Sequence, residues 1–79
     1  MKGQKVIVRA YGNVPLVRRV WDANYKTVYV LEESEYQKLL AGLKAYDPVG
    51  FPVKDAFEYS EGLLLSDVID WSKLVKWKH

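Results

Sequence analysis

Residues 6–31 decide the fold, and they read VIVRAYGNVPLVRRVWDANYKTVYVL. β-Branched and aromatic residues dominate this stretch, and such residues favour extended strands. Two polar breaks, at residues 12–13 and 22–24, interrupt it with residue types that favour turns. The pattern predicts three antiparallel strands, over residues 6–11, 16–21 and 25–31.

Side chains alternate between the two sides of a strand, so the predicted ribbon has two different faces. One face, which we call the aliphatic face, consists of Val6, Val8, Ala10, Leu16, Val20, Val28 and Val30, with Arg18 and Lys26 at its margin. The other, which we call the aromatic-cationic face, consists of Ile7, Arg9, Tyr11, Val17, Arg19, Trp21, Tyr25, Thr27, Tyr29 and Leu31.

The two turns determine how the predicted strands pair. A three-residue loop over residues 22–24, with Asn24 in the left-handed conformation, predicts that Arg19 lies opposite Thr27. The break at residues 12–13 leaves two alternatives open, because a two-residue turn there would exchange the faces of the first strand.

A helix is predicted next, over residues 34–45. Ser34 and Gln37 have the spacing of a capping box, and three glutamates cluster where the helix dipole favours negative charge. Apolar residues then recur at i, i+3, i+4 and i+7 and form one stripe, which consists of Tyr36, Leu39, Leu40 and Leu43. We expect this stripe to pack on the aliphatic face, so that the core lies between the helix and the ribbon.

The remaining residues follow less regular patterns. Residues 48–52 contain two prolines and are expected to be extended, and residues 56–59 are a candidate short edge strand. Ser66 is expected to begin a short C-terminal helix that carries Val68, Trp71 and Val75, with three lysines near its end. A strand over residues 63–65 is also an option.

These elements predict an α+β fold in one small domain over residues 1–79, since a chain of this length has room for one core. A three-stranded antiparallel β-ribbon, which one or two short strands can extend, packs on one main helix. A short C-terminal helix completes the domain. The alternative is a small SH3-like β-barrel with an inserted helix, because five short strands can be drawn.

The net charge of +2 hides three blocks of opposite sign. Residues 1–31 carry six basic residues and one acid, residues 32–70 carry nine acids and three lysines, and residues 71–79 add three lysines. Segregated charge affects partner choice and association rate more than it affects the fold. Either the blocks face each other within the fold, or a basic surface awaits an acidic partner.

The sequence shows no signature of catalysis, metal binding or cofactor binding. It has no cysteine, and its one histidine is His79, the last residue, so no serine has a histidine base held in place. Five scattered glycines form no phosphate-binding loop, and the acids lack the spacing of a calcium loop. We therefore predict a non-enzymatic protein without a metal or cofactor.

The apolar runs are all shorter than the roughly 20 residues that cross a bilayer, and the run behind the basic first residues is too short for a signal peptide. A cysteine-free chain of this kind is expected to be a soluble, cytoplasmic protein.

The aromatic-cationic face is the best candidate for a binding site. Its residues Arg9, Tyr11, Arg19, Trp21 and Tyr25 could stack on bases and neutralise phosphates, or form hot spots for a protein. The second half of the chain could instead cover this face, because its aromatic residues also need partners. We predict a small protein-interaction or accessory module that binds another protein or itself. Nucleic-acid binding is the alternative, and the acidic middle block counts against it.

Overall fold

A computed structural model describes residues 2–64 and 69–78 of the chain. Five antiparallel strands form one curled, half-barrel sheet in the order β4-β3-β2-β1-β5. The strands are β1 (Lys5–Ala10), β2 (Val14–Ala23), β3 (Thr27–Leu31), β4 (Val49–Pro52) and β5 (Ala56–Glu58). Helix α1 (Glu33–Leu40) lies between β3 and β4 in the chain, and the single turn α2 (Glu61–Leu64) follows β5. Short 3-10 turns occupy Tyr11–Asn13, Val53–Asp55 and Trp71–Lys73.

The α+β class is confirmed. The sheet does not match a three-stranded ribbon exactly, because one short strand extends the ribbon at each edge, within the one or two extra strands that the prediction allowed. The extended segment at residues 48–52 supplies β4, and the candidate strand at residues 56–59 supplies β5. Five strands with a helix inserted among them are also the elements of the alternative prediction. The sheet nevertheless curls only into a half-barrel, and the described strands β4 and β5 do not pair with each other.

The first hairpin turns over Tyr11–Asn13, where Gly12 has a φ of 76° and Asn13 a φ of 61°. Both values lie in the left-handed region, which glycine and asparagine tolerate better than other residues. The turn places Val8 opposite Leu16. The side chains of the first strand therefore lie on the faces that the sequence predicted.

The predicted pairing of the second hairpin is wrong by four residues, because Arg19 lies opposite Leu31 and not opposite Thr27. A bulge at Trp21 then shifts the register once more. The error before the bulge does not change the faces, because a shift of four residues preserves the two-residue alternation of side chains.

Asn24 makes the second turn through its side chain rather than through a left-handed backbone. Its Oδ1 accepts hydrogen bonds from the backbone N–H groups of Lys26 and Thr27, each at 2.8 Å. Asn13 is the residue other than glycine with a positive φ in the described chain. This local hydrogen bonding moves the turn past residues 22–24 and lengthens β2.

The aliphatic face is confirmed as the main core. Its buried members are Val6, Val8, Val20, Val28 and Val30, and Ala56 and Trp77 join them in one cluster. Phe51 of β4 packs against the same cluster, so the strands at both edges of the sheet contribute to one core. We call this side of the curled sheet the inner face and the opposite side the outer face.

Trp77 reaches the inner face from an extended C-terminal segment. The backbone N–H of Glu58 donates to the Val75 carbonyl at 2.8 Å, and the Trp77 N–H donates to the Ala56 carbonyl at 3.1 Å. The segment therefore pairs along the side of β5 that β1 leaves free. The Trp77 indole N–H donates to Oε1 of Gln4 at 3.0 Å, so the ring is buried with its polar group satisfied.

The predicted C-terminal helix is wrong for the described residues. Trp71–Lys73 form one 3-10 turn capped by Asp70, the backbone is extended at Leu74, and residues 75–77 pair with β5. Ser66 and Val68 lie outside the described residues. The optional strand at residues 63–65 is also wrong where it is described, because residues 63 and 64 belong to α2. Pairing with β5 and burial of Trp77 outweigh the helical spacing of the apolar residues.

Helix α1 does not pack on the aliphatic face, contrary to the prediction. Its buried Tyr36 lies edge-on to Trp21, with ring centroids 6.2 Å apart, and the Arg19 guanidinium lies 5.6 Å from the Tyr36 ring. Leu40 and Leu43 of the predicted stripe are 59% and 61% exposed. Curling of the sheet and the Trp77 ring already cover much of the inner face, so the helix packs against the aromatic-cationic face instead.

The helix is also shorter than predicted and lacks the predicted capping box. It begins at Glu33, and no side chain caps its N-terminus at Glu32. The Gln37 side chain donates to Glu33 at 2.8 Å instead of reaching back to the cap. Gly42, with a φ of 75°, follows the last turn, as glycine commonly does where helices end.

Replacing Trp77 by alanine is expected to lower the free energy of unfolding by about 3–5 kcal/mol, because a large buried ring leaves a cavity in the inner face. Urea denaturation measures this value. Trp77→Phe keeps the domain folded for comparison and is expected to lose less. The control is Val75→Ala, at an exposed residue of the same segment, and is expected to change stability by no more than about 0.5 kcal/mol. Equal losses in the two alanine variants would contradict this role of Trp77.

Candidate functional site

The five residues predicted as a binding site do not form one cluster. Tyr11 and Tyr25 lie exposed in the two hairpin turns, at opposite ends of β2. Arg19 and Trp21 come together toward the C-terminal end of β2, where both contact Tyr36 of α1. Arg9 lies apart from them on β1. The predicted site is thus divided over the length of the sheet.

Arg19 holds the start of α1 on the sheet. Its Nε donates to Oε1 of Glu33 at 2.9 Å, and a second guanidinium nitrogen lies 2.8 Å from the same oxygen. A third nitrogen, Nη1, donates to the Gly3 carbonyl at 2.7 Å. All three nitrogens of the Arg19 guanidinium therefore have partners within the chain.

Arg9 is engaged in a similar way, against the second half of the chain. Its Nη2 and Nε donate to Oδ1 of Asp55 at 2.9 and 3.2 Å. Its guanidinium carbon also lies 5.4 Å from the Trp71 ring and 5.6 Å from the Phe57 ring. Phe57 is buried with Ile7 and Leu74, so this half of the aromatic-cationic face is covered by residues from the end of the chain.

The positive and negative blocks of the sequence face each other in the fold. Each of the three arginines of residues 1–31 pairs with a carboxylate of residues 32–70, in the pairs Arg9–Asp55, Arg18–Glu32 and Arg19–Glu33. The Arg18–Glu32 pair is the longest, at 3.8 Å. Lysines of both basic blocks lie instead over aromatic rings, among them Lys2 over Trp21 at 3.8 Å and Lys76 over Phe57 at 4.7 Å.

Glu35 ties the connection after α1 back to the helix. Its Oε1 accepts a hydrogen bond from the Tyr46 backbone N–H at 2.9 Å, and its Oε2 lies 2.9 Å from the Lys38 ammonium. These contacts, with the Tyr46 hydrogen bond the larger cause, hold the pKa of the Glu35 carboxyl below its ordinary value. The pKa of Glu33 is lowered too, first by the hydrogen bond from Gln37 and then by Arg19.

An apolar groove of about 260 Å³ lies where Trp77 does not reach, beside β4 and the connection that Glu35 holds. Its apolar lining consists of Leu16, Val30, Leu31, Tyr46, Val49 and Phe51. The polar residues around it are Arg18, Glu32, Glu35 and Asp47. Tyr46 and Val49 are 79% and 58% exposed, so one wall of the groove presents apolar side chains to solvent.

Sequence reasoning missed this groove because it assigned two of the lining residues, Leu16 and Val30, to a covered core. Leu16 and Val30 were placed on the aliphatic face, which was expected to be covered by the helical stripe. The available signal was the pattern at residues 46–51, where Tyr46, Val49 and Phe51 surround a proline and a glycine. A short extended segment of this kind has no core of its own, so its apolar residues must pack against another element or stay exposed.

Other kinds of site find no support in the described part of the chain. No group of three or more acidic or histidine side chains gathers to hold a metal ion within residues 2–64 and 69–78. In the same residues, no helix is long and apolar enough to cross a membrane. Comparisons with protein-family models, with curated proteins and with solved structures found no match.

Glu35→Gln is expected to destabilise the domain at pH 7, because it removes a charge that stabilises the connection beside the groove. A carboxyl whose folded pKa is depressed contributes stability above its unfolded value of 4.5, and that stability is lost as the pH falls through the folded pKa. The difference in unfolding free energy between wild type and variant should therefore shrink below about pH 4.5.

Thermal or urea unfolding from pH 7 to pH 3 measures this difference. Glu58→Gln, at an exposed residue of β5, is the control and is expected to differ little from wild type at pH 7. A deficit of Glu35→Gln that stays constant over the whole range would show that the charge of Glu35 does not contribute.

Proposed function

We propose that this chain is a non-enzymatic protein-interaction module that binds an apolar segment of a partner protein in the groove. The observation that carries the proposal is an apolar lining formed by three strands, with the exposed side chains of Tyr46 and Val49 beside it. Contiguous apolar surface that a small domain leaves exposed commonly marks an interaction site.

The dimensions of the groove favour a peptide side chain over a cofactor. Pockets that enclose drug-sized ligands usually measure about 300–1,000 Å³, and this groove measures about 260 Å³ and is open to solvent. One or two apolar side chains fit such a space. Tyr46 adds an aromatic surface of the type enriched at protein-binding hot spots.

The support for nucleic-acid binding is weaker. Phosphate recognition needs free cationic side chains that neutralise phosphates and so release the counterions condensed on the nucleic acid. Arg9 and Arg19 instead donate to carboxylates of their own chain. Two other residues of the predicted site, Tyr11 and Tyr25, lie at opposite ends of β2 and offer no shared stacking surface.

The test is a titration of the ¹⁵N-labelled chain with a capped, uncharged hexapeptide of alternating leucine and serine. The amide chemical shifts of the chain are measured at each peptide concentration. Shifts are expected at Leu16, Val30, Val49 and Phe51. Val49→Glu should weaken binding about tenfold or more, since a charge in the apolar wall must lose water when the peptide binds.

Val75→Glu is the matched control. Val75 is 59% exposed, which is similar to Val49, but it lies beyond β5, at the opposite edge of the sheet from β4. It is expected to bind the peptide as wild type does. Equal weakening in both variants, or shifts that avoid the groove, would show that the groove is not the binding site.

A further inference from the structure

We propose that the segment bound in the groove is cationic: an extended peptide in which an apolar side chain is flanked by lysine or arginine. This inference rests on the proposed function and adds the chemistry of the partner. It is carried by the charges around the groove.

Two carboxylates at the groove are exposed, and one cation faces them. Glu32 and Asp47 are exposed, with 64% of the Glu32 side chain open to solvent. Arg18 is the cation, and only 24% of its side chain is exposed. Its Nη1 donates to the Val17 carbonyl at 2.8 Å, and its Nη2 lies 3.8 Å from Glu32. Arg18 can therefore balance at most one of the two carboxylates.

The nearby lysines do not reverse this balance. Lys38 lies 2.9 Å from Glu35, so that pair is neutral. Lys44 and Lys38 line a shallow depression with Ala45, to which Tyr46 also contributes. Neither lysine lines the apolar groove. The groove thus presents an apolar floor with a net negative rim, which complements a cationic peptide.

The neighbouring sheet edge favours recognition through side chains. Val53 donates its N–H to the Lys26 carbonyl at 2.8 Å, so by antiparallel alternation the main-chain groups of Phe51 and Val49 also point to β3. Gly50 and Pro52 point outward, and proline has no N–H. The outer edge of β4 then offers one outward N–H, at Gly50, which is too little for strand addition. Affinity must come from the apolar side chain and its flanking charges.

A second copy of this chain offers similar chemistry but fits less well. Its C-terminal segment exposes Val75 between lysines 73, 76 and 78. The Lys76 ammonium already donates to the Lys54 carbonyl and lies over Phe57, and Trp77 is turned into its own core. Such a copy would bring one valine to the groove. A more flexible segment of another protein can bring a larger side chain with free cations on both sides.

The test uses three capped hexapeptides with the same leucine–phenylalanine centre, flanked by lysines, serines or glutamates, titrated by amide chemical shifts at low and at moderate salt. Affinity is expected to fall in the order lysine, serine, glutamate, and the differences should shrink as salt screens the rim. Asp47→Lys should weaken the lysine peptide about two- to fivefold, and so should Glu32→Lys. Asp47→Asn, which keeps the side-chain shape, should have a smaller effect in the same direction.

The matched control is Glu58→Lys, which makes the same charge change at an exposed residue that does not line the groove. It is expected to leave the order of peptides unchanged. Equal binding of the three peptides at groove amides would overturn the charge inference and leave the proposed function standing. Failure of all three to bind would overturn both. Sedimentation showing self-association that Asp47→Lys abolishes would identify a second copy as the occupant and overturn the inference.

Discussion

Trp77 shares one buried cluster with valines of β1, β2 and β3, and this contact decides where the other elements can lie. Its backbone pairs with β5 and its indole donates to Gln4, so the end of the chain is tied to both β5 and the residue before β1. A large ring in this position fills one part of the inner face. Helix α1 consequently packs elsewhere, and the part of the inner face beside β4 is left as an open groove.

The ion pairs explain much of the segregated charge. Exposed pairs contribute little stability individually, usually less than about 1 kcal/mol, but these pairs join distant parts of the chain. Arg9 joins β1 to the turn before β5, and Arg19 joins β2 to the start of α1. The basic strands and the acidic middle block are therefore complementary within one molecule. Glu32, which belongs to the longest of these pairs, and Asp47 lie together at the groove.

The groove combines features that the fold places together from separate segments. β2 and β3 contribute an aliphatic floor, β4 contributes Phe51 and Val49, and the connection after α1 contributes Tyr46 and Asp47. Glu35 positions this connection through the Tyr46 backbone. The curled sheet thus acts as a scaffold, and the connection between α1 and β4 completes the surface that a partner can contact.

Local patterns in the sequence were sufficient to predict the α+β class, three strands, the two faces of the ribbon and the existence of α1. Alternation survives a register error of four residues, which is why the aliphatic face was correct although the pairing of Arg19 was not. The alternation of a strand and the stripe of a helix are properties of neighbouring residues, and neighbouring residues are what a sequence displays.

Only the tertiary structure decided which elements cover the two faces of the ribbon and the stripe of α1. Helical spacing at residues 68–75 suggested a helix, but residues 75–77 pair with β5 instead, which brings Trp77 to the core. The arginines were candidates for a ligand until long-range contacts supplied Asp55 and Glu33. By itself the sequence determined which side chains share a face. Which face is covered, which charge is paired and which apolar surface stays open depended on contacts between residues far apart in the chain, because packing and ion pairing act through space.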